Sequence, residues 1–153
     1  MSAEPWLRRF VLAAAVATYL AAAVELILVE HYEEWQQFLP FGMIGLGVLA
    51  AGWAWASPGR ASVAAARWAG ALAVGTSLAG VYWHVTGNLA FVREVTPDAG
   101  TAKVLWGTVS GGNPLLAPGM IALAGLLAAA ATYRHPALAA AGSQPLARGS
   151  EAR

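Results

Sequence analysis

The chain contains no cysteine and one lysine, Lys103. The first absence excludes disulfides, thiolate metal sites, iron–sulfur clusters and cysteine nucleophiles. The second leaves serine–lysine catalysis without support. Charge is scarce as well: 11% of the 153 residues are Asp, Glu, Lys or Arg, where a soluble domain carries about a quarter. The net charge of +1 comes with no basic cluster, so nucleic acid is not an expected partner. No Gly-rich phosphate loop follows a strand pattern, which removes nucleotide binding. Strand alternation and internal repeats of the kind seen in transporters are also missing.

What fills the chain instead is apolar. Hydrophobic residues make up 58% and mean hydropathy is +0.56. Crossing roughly 30 Å of hydrocarbon takes about 20 apolar residues, and four segments qualify, about 10–30, 38–57, 63–86 and 115–133. Backbone polar groups in lipid must be satisfied within their own segment, so these runs read as helices. The expected fold is all-α, an integral membrane four-helix bundle over residues 1–136 with the lipid bilayer as its surroundings. Residues 137–153, rich in Ala with Gly, Ser and Pro, read as a disordered cytoplasmic tail. An N-terminal signal peptide competes for Arg8-Arg9 and Ala21-Ala22-Ala23, but the apolar run resumes through Leu26 to Val29 and gives a full span.

Polarity follows from the cations. Arg8, Arg9, Arg60, Arg67, Arg134, Arg148 and Arg153 fall on one side, and only Arg93 and Lys103 on the other, which puts both termini in the cytoplasm. Six of the eight carboxylates lie at or toward the outer side. Trp35, Tyr82, Trp83 and Trp106 gather toward the outer interface, and Trp6, Trp53, Trp55, Trp68 and Tyr133 toward the inner one. Pro58-Gly59 makes a tight inner turn between the second and third spans. The outer loop from about 87 to 113 needs structure of its own. Thr96-Pro97 reads as a cap and first turn, opening a short amphipathic helix on the membrane surface with Ala102, Leu105, Trp106 and Val109 on one face.

Five residues carry most of the chemical interest. Glu25 stands inside the first span, where a carboxylate is costly unless neutral, paired or wet. It shares a helical face with Thr18, Ala22, Val29 and Tyr32, and that face is expected to look into the bundle. His84 ends a stripe of small residues, Gly70, Ala73, Ser77 and Gly80, with Asn88 one turn on; such stripes let helices approach closely. His31, Glu30 and Glu34 sit at the outer end of the first span, at the depth of His84. Imidazole with carboxylate suits Zn, Cu, Fe or Mn, and two histidines on facing helices suit haem iron. Against this stands a structural role, with the histidines as interface residues and the acids as charge asymmetry. His135 reads as a flanking residue on the other side.

The segments Glu30-His31-Tyr32-Glu33, Gly80-Val81-Tyr82-Trp83-His84 with Gly87-Asn88-Leu89-Ala90-Phe91, and Leu116-Ala117-Pro118-Gly119-Met120 resemble those of small bacterial four-span proteins of uncharacterised activity. The resemblance covers most of the membrane region and implies the same four-helix architecture, without an activity; the expected location is a bacterial inner membrane. The leading expectation is a non-catalytic accessory subunit packed against other membrane subunits. The alternatives are a haem- or transition-metal-binding protein using His31 and His84, supported by Glu25, Glu30 or Glu34, and a proton-coupled carrier using Glu25.

Overall fold

The computed structural model describes residues 3–113, 115 and 117–139, all of whose regular structure is helical. Helix α1 spans Ala3–Leu28, α2 Phe38–Ala56, α3 Arg60–Val95, α4 Thr101–Val109, α5 Ala117–Thr132 and α6 Pro136–Ala139; a short 3-10 turn, Trp35–Gln37, precedes α2. The bundle closes as a ring, with α1 against α2 and α5, and α3 against α2 and α5. Helix α4 folds back onto α3.

The packing is built from small residues. Buried positions on α1 are Leu12, Ala15, Tyr19, Ala22 and Leu26, a stripe at helical spacing. Facing them lie Ala50, Ala51 and Ala54 on α2, Ala66, Ala69 and Ala73 on α3, and Ala124, Ala128 and Ala131 on α5. Many bulky aliphatics point outward: Leu49 is 74% exposed, and Ile27, Leu72, Leu78 and Leu126 are exposed with it, while Leu12, Leu26, Ile44, Val63 and Ile121 stay inside. The outward leucines depart from the arrangement of a water-soluble domain, whose leucines fill the core. Among the described residues, two segments, Glu4–Leu28 and Trp35–Ala56, are long and apolar enough to cross a membrane, and 28% of the most apolar stretch of each is buried in the fold. Helix α5 is shorter, and α3 interrupts its apolar residues with Arg67, Thr76, Ser77 and His84.

Close approach depends on two glycine contacts. A Cβ on Gly70 would stand 2.5 Å from the Gly125 carbonyl oxygen, and one on Gly125 would stand 2.6 Å from the Gly70 oxygen. Helices α3 and α5 thus touch backbone to backbone. At Gly47 the missing side chain makes room for the ring of Tyr19, which is fully buried.

The basic end is more than a topology signal. Arg8 donates to the carbonyls of Ala131 and Tyr133, both at 2.7 Å, and pairs with Glu4 at 2.7 Å. Arg67 donates to the Thr132 carbonyl at 2.7 Å. Two guanidinium groups thereby satisfy the orphan carbonyls that end α5, where positive charge also complements the helix dipole. Helix α1 begins at Ala3, ahead of the apolar span expected from about residue 10, with Pro5 in its first turn and Trp6 stacked on Phe10.

The outer region departs from expectation in register. Helix α3 continues through Gly87-Asn88 to Val95 instead of stopping near 86. At about 1.5 Å per residue its 36 residues reach roughly 54 Å. The Thr96 hydroxyl donates back to the Val92 carbonyl at 2.8 Å, so Thr96 closes α3 rather than opening the next helix, and α4 starts at Thr101. At the basic end, Ser62 donates to the Ser57 carbonyl and accepts from the Gly59 N–H, closing the α2–α3 turn. The segment expected as a disordered tail begins with α6, whose first turn is capped by His135: its Nδ1 accepts from the Ala137 N–H at 3.2 Å. Residues 140–153 of that tail lie outside the described residues.

Candidate functional site

Helix α1 ends in a Schellman arrangement. The His31 N–H reaches the Leu26 carbonyl at 2.9 Å and the Glu30 N–H reaches Ile27 at 3.1 Å. Glu30 occupies the left-handed position with φ 53°, where glycine is usual. This reversal turns the chain back over the end of the bundle and aims His31 at α3. Gln37 then accepts from the N–H groups of Glu33 and Glu34 at 2.6 and 3.1 Å, holding the acidic turn against the start of α2.

Between this turn, α3 and the start of α5 lies an open cavity of about 680 Å³. All five residues singled out in the sequence line it: Glu25, Glu30, His31, Glu34 and His84. The two imidazoles meet edge-on, ring centroids 6.3 Å apart and planes at 62°. Burial, with the neighbouring His84 second, holds the His31 imidazole below its ordinary pKa. Four carboxylates, from Glu25, Glu30, Glu33 and Glu34, share the wall, and among the described residues no lysine or arginine does. Such a site concentrates positive charge.

The supporting residues divide. Asn88 is buried but does not line the cavity. It donates to the carbonyls of Thr108 and Asn113 and accepts from the Asn113 N–H, each at 3.0 Å. Asn88 thus fastens α4 and the Gly112-Asn113 stretch, which forms part of the wall. Thr18 spends its hydroxyl on the Ala14 carbonyl within α1, and Tyr32 is exposed away from the cavity. The face expected to look inward is also rotated. Of Thr18, Ala22, Glu25, Val29 and Tyr32, only Ala22 is buried. The seating of Tyr19 against Gly47 fixes α1 about one residue away from that expectation, leaving Glu25 exposed in the open cavity.

Several wall residues escaped the sequence reading, namely Glu33, Gln36, Gln37, Trp83 and, as a polar group, Ser77. Ser77 is 5% exposed and its hydroxyl has no hydrogen-bond partner; Gln36 Oε1 is likewise unpartnered. Buried polar atoms normally find partners, and each exception calls for one. Ser77 lies two turns before His84 on one face of α3, so its position was legible, although its small size suggested only packing. Among the described residues no group of three or more His, Asp or Glu is arranged to hold a metal ion. No family model, curated protein or solved structure matches this chain.

Proposed function

We propose that this chain is a four-span protein of a bacterial inner membrane, with both termini in the cytoplasm, that binds a cation in its outward-facing cavity. The exposed leucines on α3 and α5 support the further two spans, since they extend the apolar exterior of α1 and α2 around the ring. Arg8, Arg60, Arg67 and Arg134 at the opposite end support the polarity.

The observation that carries the binding reading is the wall of four carboxylates and two imidazoles, with no lysine or arginine beside them among the described residues. Haem suits this wall poorly, because its propionates would face like charge. An organic cation suits it well. The role is that of a binding protein, alone or as an accessory subunit, rather than an enzyme. A transition-metal ion is the second reading, favoured by the meeting of His31 and His84; stoichiometric metal in the purified protein, lost in His31→Ala and His84→Ala, would replace the first.

Equilibrium dialysis of tetramethylammonium against the protein in nanodiscs tests the proposal. A carboxylate about 5 Å from a cation at a protein surface contributes on the order of 1–2 kcal/mol. Glu25→Gln therefore weakens binding about tenfold, while Glu94→Gln, away from the cavity, leaves it unchanged. Absence of saturable binding, or equal losses in both variants, rejects the reading.

A further inference from the structure

Beside the acidic cavity runs a second hollow of about 420 Å³ between the start of α2 and α3. Its walls include Trp35, Phe38, Met43 and Ala79, and it shares Leu39, Thr76 and Trp83 with the cavity. Among the described residues, no charged one lines it. The two hollows thus meet along a common wall, one acidic and the other aromatic. Trp35 and Phe38 are largely exposed on the outer part of the bundle, so the groove opens sideways where the fold presents its apolar exterior. Gly42 forms part of its surface, and a Cβ added there would meet nothing within 4 Å. The groove is therefore space left by a missing side chain and not a packing contact.

We infer that the cation bound here is an amphiphile, a free organic ammonium whose charged head sits among Glu25, Glu30 and Glu34 and whose apolar tail lies in the Trp35–Trp83 groove. The inference rests on the cation reading and names its ligand class. Charge complementarity selects the head, and Trp83, common to both walls, offers an aromatic surface where head and tail join. Ser77 in the cavity wall is buried and its Oγ has no protein partner, so it can accept a hydrogen bond from an N–H of an ammonium head. Apolar tails gain affinity with each methylene removed from water, about fourfold per buried group.

The test compares tetramethylammonium with octyltrimethylammonium, which shares the head and adds the tail. Both are dialysed against protein in phosphatidylcholine nanodiscs, with empty nanodiscs subtracted. Octyltrimethylammonium is expected to bind at least tenfold more tightly, and octyl sulfate is expected not to compete. Gly42→Leu fills the groove at an open helical position, so it is expected to abolish the gain from the tail while leaving tetramethylammonium binding intact. Equal affinity of the two cations, or a gain that survives Gly42→Leu, overturns the inference and leaves the cation reading standing. Competition by octyl sulfate equal to that of the cation also overturns it. Failure of both cations to bind removes the cation reading and this inference with it.

Discussion

Gly70→Ala would put a methyl carbon 2.5 Å from the Gly125 carbonyl oxygen. Carbon and carbonyl oxygen ordinarily approach to about 3.3 Å, so α3 and α5 would have to part by roughly 0.8 Å at this point. The obstructing atom belongs to helix backbone and cannot swing aside as a side chain would. The reciprocal contact, Gly125 against the Gly70 oxygen, is equally tight. Overpacking of this kind costs about 1–3 kcal/mol, or a fall in Tm of roughly 3–10 °C for a chain of this size. Gly75→Ala provides the control, because its added Cβ meets nothing within 4 Å. Removing a mid-helix glycine there should be neutral or stabilise by about 0.5–1 kcal/mol. Thermal unfolding in detergent, followed by circular dichroism, separates the two. If Gly70→Ala melts with Gly75→Ala, the backbone-to-backbone account of this interface is wrong.

Three further outcomes follow from the same geometry. Glu30→Gly relieves a left-handed non-glycine residue and should raise stability by about 1 kcal/mol; a lower Tm would mean that the Glu30 carboxylate holds the turn in place. Asn88→Ala leaves the Thr108 carbonyl and the Asn113 N–H without their partners, a loss of about 2–4 kcal/mol. It should speed hydrogen exchange at Asn113 and in α4, and unchanged exchange there would contradict the latch. Cation binding should also depend on pH. His31 ionises below its ordinary 6.5 because burial and His84 disfavour its charged form. Stability from the neutral imidazole is complete above about pH 6.5 and is lost as pH falls toward the lowered value. Tetramethylammonium affinity should fall as the pH drops below 6.5 and positive charge enters the cavity, and an affinity that does not fall on acidification would refute it.

The helical class and the grouping of His31, His84, Glu25, Glu30 and Glu34 were legible because hydropathy and topology bring these residues to one end. The small-residue stripe on α3 correctly aimed His84 at a neighbour. It could not name α5 as the helix packed against that stripe, since Gly125 is one glycine among 17 until the backbones are seen to touch. The rotation of α1 is not legible locally: a Glu within an apolar run suggests an inward face, whereas the Tyr19–Gly47 fit decides it. The end of α3 was misjudged because Gly87-Asn88 looks like a stop. Asn88 is instead held by partners 20 and 25 residues away, and a local reading does not contain them. Arg8 and Arg67 were read as charge flanking a membrane; their hydrogen bonds to the end of α5 are tertiary and leave no local pattern.

The absence of cysteine permits a direct test of an outward-facing, cation-binding cavity. Glu33→Cys puts a single thiol at the cavity wall and Arg60→Cys puts one at the opposite end of the bundle. In intact cells, a membrane-impermeant maleimide should label Glu33→Cys, and saturating tetramethylammonium should slow that labelling. Arg60→Cys should react only after permeabilisation. Labelling of Arg60→Cys in intact cells, or a Glu33→Cys rate indifferent to the cation, would contradict the account.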